Sequence, residues 1–131
     1  YDIAKELWNK MVYICAVSGM TCISRASFSE VIDTPEAADL MVRIMREVID
    51  VGQAKGARFD SDLVESAVQR LEGSKAGLVS SMHNDLEAGR PLEVGVLNGA
   101  ISHIGKEVGV NTPANDFISA ALAVADRLAR I

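Results

Sequence analysis

Apolar residues recur along this chain three and four residues apart, and residues that start and stop helices stand between the stripes. Ile3, Leu7, Met11, Ile14 and Ser18 share one face of a first helix that should start near Asp2 and run to about Cys22. Thr34, Pro35 and Glu36 then supply a cap, a first-turn proline and an acid, ahead of the stripe Ala37, Met41, Ile44, Val48 and Val51. Gly56 follows where a left-handed residue ends a helix. Asp62 with Glu65 is similar to a capping box, with Asp in place of the usual Ser or Thr; Ala67, Val68 and Leu71 come next, and Gly73 should end that helix.

Between Ser74 and Gly89 the pattern is ambiguous, although Leu78, Val79 and Met82 fit one short helix. Pro91 sits as a first-turn proline before the stripe Val96, Leu97, Ala100, Ile101 and Ile104. Gly95 and Gly99 lie one turn apart, off that stripe, and each costs about 1 kcal/mol in helix propensity. Close approach of a second helix would offset this. Thr112-Pro113 repeats the cap-and-proline signal, and Phe117, Ala121, Val124 and Leu128 form the stripe of the last helix. No segment alternates in strand fashion between turn residues. The expected fold is all-α, a single multi-helix bundle spanning residues 1–131.

Composition narrows the picture. The chain is 49% apolar but only 5% aromatic, so its core is aliphatic and Met-rich. A net charge of −5 argues against nucleic acid and against an anionic membrane surface. The longest uncharged stretch, Met11 to Ile23, falls well short of the ~20 residues of a membrane-spanning helix. The chain opens on Tyr1 with no signal-peptide pattern and reads as a piece of something longer. Cys15 and Cys22 lie two helical turns apart, about 10 Å, which is too far for a disulfide. Free thiols point to a reducing, cytoplasmic setting.

Two ionisable residues fall on apolar arcs. Lys10 projects with Ile3, Leu7, Ile14 and Thr21, and Glu93 with Val96, Leu97, Ala100 and Ile104. A lone buried charge is costly, so such groups are normally paired or functional. Each also has a plainer reading: Lys10 can snorkel from a helix start, and Glu93 can sit in a first turn where the helix dipole favours a carboxylate. His83 and His103 have no partner at metal-ligand spacing, and no metal site is expected. There is no phosphate-cradling glycine loop, and hence no cofactor-binding residue is expected in this chain. Ser80 and Ser81 lack the setting of a hydrolase nucleophile and suit a helix cap near Met82.

These features combine into a familiar order. Leu7-Trp8-Asn9-Lys10 opens a long apolar helix that ends near Met20-Thr21. Ser80-Ser81-Met82-His83-Asn84-Asp85 resembles a Ser-Met-x-x-Asp motif, and Gly89-Arg90-Pro91-Leu92-Glu93 a Gly-Arg-x-x-Glu segment. Leu97-Asn98-Gly99 and Gly109-Val110-Asn111-Thr112-Pro113-Ala114-Asn115 complete the set. Together they resemble the helical C-terminal domain of the ketopantoate reductase family.

The resemblance implies an NADPH-dependent reductase of 2-oxo acids, on the route to pantothenate, whose N-terminal Rossmann domain binds the cofactor and meets the helical domain across the active-site cleft. By the same resemblance Lys10 matches the catalytic lysine, Glu93 the active-site glutamate and Ser81 a substrate-binding serine. Asp85 and Asn98 match further motif positions among the substrate-site candidates. The family's asparagines one and two turns beyond the lysine are here Ile14 and Ser18, which implies an altered substrate. The expected partners are a small 2-oxo acid and the Rossmann domain; a homodimer is left open. Two rival readings remain. One is a non-catalytic helical dimerisation or binding domain. The other is a relative among the 6-phosphogluconate or 3-hydroxyisobutyrate dehydrogenases, against which Ile14 and the Ser-Met-x-x-Asp segment speak.

Overall fold

The computed structural model describes residues 2–72 and 80–131. Among them it contains seven α-helices, one 3-10 turn and no strand. The helices are α1 (Ile3–Ser24), α2 (Phe28–Ile32), α3 (Pro35–Ala54), α4 (Leu63–Glu72), α5 (Ser81–Glu87), α6 (Asn98–Val108) and α7 (Pro113–Ala129), with the turn at Val94–Val96. The all-α expectation holds. The expected end at Gly73 and the placement of Leu78 and Val79 lie outside the described residues.

Helix α1 runs through the middle of the bundle. Asp2 caps it by accepting from the Lys5 N–H at 3.0 Å, and Arg25 ends it in the left-handed region at φ 53°. From Cys15 to Cys22 every residue of α1 is buried, so this half has no polar face. Helix α3 packs along it through Met41, Ile44, Met45, Val48 and Val51, as the stripe predicts. Gly56 is left-handed at φ +90°, also as expected.

Several expectations need correction. Ile3 and Leu7 are exposed, and the core residues of α1 are instead Val12, Cys15, Ala16 and Met20. The stripe of α7 is likewise outward: Phe117, Val124 and Leu128 are more than half exposed, and Ala114, Ile118 and Leu122 carry the buried face. Pro91 starts no helix. The Leu92 N–H is taken by Asp126 Oδ1 at 2.7 Å, the 3-10 turn follows, and α6 begins only at Asn98. Glu93 therefore precedes the turn rather than standing in the first turn of an α-helix. Gly99 does serve close approach, since a Cβ there would meet the Val94 carbonyl oxygen at 3.1 Å, whereas Gly95 faces open space. Helix α2 was not foreseen. Its start is the Ser27/Glu30 pair, in which the Glu30 carboxylate accepts from the Ser27 N–H and hydroxyl, both at 3.0 Å. These bonds hold the Glu30 carboxyl below its ordinary pKa.

Both threonine caps sit where expected, but their hydroxyls bond elsewhere. Thr34 donates to the Glu30 carbonyl at 2.8 Å, and Thr112 to Asp116 Oδ1 at 2.8 Å. The N-terminus of α7 is capped from α3 instead. Glu47 accepts from the N–H groups of Ala114 and Asn115, both at 2.9 Å, which satisfies donors that a helix start leaves unpaired.

Candidate functional site

A cavity of about 350 Å³ opens where α1, α5 and the segment before α6 meet. Its wall comprises Leu7, Lys10, Met11, Ile14 and Ser18 from α1, Ser81 and Met82 from α5, and Glu93 and Leu97. The outward face of α1 is thus the cavity face. A helix repeats every 3.6 residues, which stacks Leu7, Lys10, Ile14 and Ser18 in one row along the wall.

Five of the seven residues singled out by sequence line this cavity: Lys10, Ile14, Ser18, Ser81 and Glu93. Lys10 and Glu93 are exposed to it, and no ion pair joins them among the described residues. An ammonium and a carboxylate therefore line one cavity without an ion pair between them. Ser18 is buried and Ile14 half-buried, and five of the nine lining residues are apolar. The cavity thus combines charged and hydroxyl groups with a largely apolar wall.

The other two candidates lie elsewhere. Asn98 is fully buried at the start of α6, where its amide donates to the Cys15 carbonyl at 3.2 Å and to Asn115 Oδ1 at 3.0 Å. It ties α6 to α1 and α7 and does not reach the cavity wall. Asp85 accepts from Arg90 Nε at 2.9 Å, closing the α5 turn onto the loop that leads to Glu93. Both motif positions shape the frame around the cavity.

Ser80, read from the sequence as suited to a helix cap, and its neighbours fix Ser81 in place. Ser80 caps α5 by accepting from the His83 N–H at 3.0 Å, and its hydroxyl lies 3.4 Å from that of Thr21. His83 is buried, and its Nδ1 donates to the Thr21 carbonyl at 2.9 Å. The Ser-Met-His run thus clamps α5 onto α1 and leaves Ser81 on the cavity side. Met82, Met11, Leu7 and Leu97 were legible only as apolar positions, a signal that core residues share.

Further hollows lie elsewhere among the described residues. The larger, about 560 Å³, lies between the end of α6 and the start of α7 and contains none of the singled-out residues. The smaller, about 270 Å³, lies between α1 and α4 and shares Lys10. His103 is exposed on α6, beside Glu107 at 2.8 Å. Among the described residues no group of His, Cys, Asp and Glu side chains could hold a metal. No described helix is long and apolar enough to cross a membrane.

The sequence pattern of the family described as Ketopantoate reductase PanE/ApbA C terminal matches residues 2–126. The chain belongs to this family. Among the relatives of this ketopantoate reductase C-terminal domain is the 2-dehydropantoate 2-reductase of Caulobacter vibrioides, 32% identical over 95% of the chain and 42% of that protein. The solved PanE/ApbA family ketopantoate reductase of Ralstonia eutropha superposes with a TM-score of 0.90 at 25% identity, over 99% of the chain and 43% of that structure. A D-mandelate dehydrogenase solved with NADH superposes with a TM-score of 0.84 at 27% identity, over 97% of the chain and 44% of its own. The chain thus spans about two fifths of the length of the relatives it matches.

Proposed function

We propose that this domain is the substrate side of an NADPH-dependent reductase of 2-oxo acids, that residues 1–131 form one helical unit, and that a Rossmann half closes over the cavity. The observation that carries the reading is the meeting of Lys10, Ser18, Ser81 and Glu93 in one small-molecule-sized cavity. A domain kept only for dimerisation would have no use for an ammonium and a carboxylate lining one cavity.

The cavity suits the ring end of a nicotinamide and not its phosphates. Lys10 is the one cation among its described lining residues, and Leu7 on its wall and Ile3 one turn earlier are exposed apolar groups. The phosphates would be held by the other half. The bound cofactor supplies the hydride for the substrate's carbonyl carbon. Lys10 donates a proton from Nζ to the carbonyl oxygen as negative charge builds there. Glu93 accepts a hydrogen bond from the ammonium or from a substrate hydroxyl and keeps the lysine aimed. The hydroxyls of Ser18 and Ser81 donate to the substrate carboxylate, while Met11, Ile14, Met82 and Leu97 cover the tail and exclude water.

The tail is where this chain departs from a ketopantoate site. Ile14 offers contact without a hydrogen bond, so the favoured substrate has an apolar tail. The likeness to a D-mandelate dehydrogenase supports this, since mandelate carries a phenyl group where pantoate carries a branched alkyl group ending in a hydroxyl. The test is NADPH oxidation by the intact protein across a panel of 2-oxo acids with hydroxylated, branched-alkyl and aryl tails. Turnover led by the alkyl and aryl acids is expected. Failure to reduce any of them, by protein that binds NADPH, would overturn the reading.

A further inference from the structure

Helix α4 and its lead-in run alongside α1 in the same direction. Lys5 Nζ meets Asp60 at 2.8 Å, Trp8 meets Phe59 edge to face, and the Arg70 guanidinium stands 5.9 Å from the centre of the Tyr13 ring. Beside these contacts the two helices leave a hollow of about 270 Å³. Leu63, Ser66, Ala67 and Arg70 line it from α4, and their spacing of three and four residues puts them on one helix face.

The charge of this hollow has one sign. Lys10 and Arg70 both line it, and no acid is among its described lining residues. Tyr13 and Ser66 add hydroxyl groups, while buried Val12 and Ala67 and half-buried Leu63 supply an apolar wall. A guanidinium carries five N–H donors, which contact with one aromatic ring does not exhaust. Two cations and an apolar wall match a short hydrocarbon chain with a carboxylate at each end. A phosphate would match the charge and leave the apolar wall without a partner.

Lys10 also lines the cavity that holds Glu93 and Ser81. Its ammonium is a single point charge on a flexible stem, so it serves one of the two spaces at a time. An anion in the hollow therefore draws Lys10 out of the cavity. By reciprocity, whatever holds Lys10 in the cavity weakens the anion.

We propose that the hollow between α1 and α4 is a second anion site, which takes a short dicarboxylate and inhibits turnover by withdrawing Lys10 from the cavity. The inhibition rests on the catalytic reading of Lys10; the binding does not. Succinate is the probe, and calorimetric titration of the intact protein should show it bind, more tightly than inorganic phosphate. Arg70→Ala, Ser66→Glu and Lys10→Ala should each lower its affinity by about tenfold or more, the scale of losing a charge-assisted hydrogen bond. Ser81→Ala, in the other cavity, should leave it unchanged. Positions 66, 70 and 10 are exposed, so these variants keep the fold, which circular dichroism checks. In turnover, succinate should lower kcat even at saturating 2-oxo acid, and Arg70→Ala should remove that inhibition. No binding, or binding indifferent to Arg70→Ala and Ser66→Glu, would overturn the site, and tighter binding of phosphate would overturn the ligand class. Inhibition that saturating substrate abolishes would put succinate in the substrate cavity and overturn the withdrawal of Lys10. A protein that binds succinate as expected but reduces no 2-oxo acid would refute the catalytic reading alone.

Discussion

Glu47 holds Asn115 twice through one carboxylate oxygen: Oε1 accepts from the Asn115 N–H and from its side-chain amide, both at 2.9 Å. Asn115 in turn accepts from Asn98, so a single carboxylate on α3 fixes the start of α7 and, through it, the start of α6. Glu47→Ala would leave three donors unpaired, two of them at a helix N-terminus. The expected loss is about 2–4 kcal/mol of stability. Thermal unfolding checks it, and Glu47→Gln, which keeps an acceptor but not the charge, should lose less.

Lys10→Ala should lower kcat of the intact enzyme by about 10²–10⁴-fold, the scale for removing a general acid. KM should change less, because the serines and the apolar wall remain. The fold should be indifferent, since Lys10 is exposed and makes no ion pair among the described residues. Steady-state kinetics with near-wild-type kcat in Lys10→Ala would remove the lysine from the chemistry.

Ile14→Asn tests substrate choice. Ile14 is half-buried on the cavity wall, so the amide enters a space that a substrate hydroxyl can reach. A regained hydrogen bond is worth about 1 kcal/mol. The ratio of kcat/KM for ketopantoate over 2-oxoisovalerate should therefore rise by about fivefold. An unchanged ratio would show that residue 14 does not read the tail.

The two thiols give a pH prediction. Burial pushes Cys15 up to about 12 and Cys22 up to about 11, against an ordinary value of 9.0. In the unfolded chain both ionise near that ordinary value, while the folded chain keeps its protons. Stability is therefore undiminished below about pH 9 and falls as pH rises toward 11 and 12. Chemical denaturation across this window should show the loss, and Cys15→Ala should flatten it. In the native state at pH 8 both thiols should react slowly with alkylating reagents.

Helix boundaries were legible where chemistry is local. Thr34-Pro35, Thr112-Pro113 and Gly56 mark real ends because proline geometry and glycine's left-handed freedom act within one turn. Helix α2 spans barely more than one turn, too short to show a period, and its Ser27/Glu30 start was the one available sign. Periodicity located the apolar arcs of α1 and α7 but not what they meet. A cavity wall and an exposed apolar stripe are as apolar as a core, so both were read as inward faces. Lys10, Glu93 and Ser81, singled out from the sequence, line the cavity. The structural duties of Asn98 and Asp85 depend on partners far away in sequence or in the next loop, which no local pattern reveals.

The two sides of α1 answer to different pressures. Lys10 and Ile14 face the cavity, while Val12, Cys15, Ala16 and Met20 hold the bundle together from the other side. A substitution at position 14 would reshape the cavity wall while leaving the core contacts of Val12, Cys15, Ala16 and Met20 in place. One helix can thus carry a replaceable lining on one side and a fixed packing surface on the other.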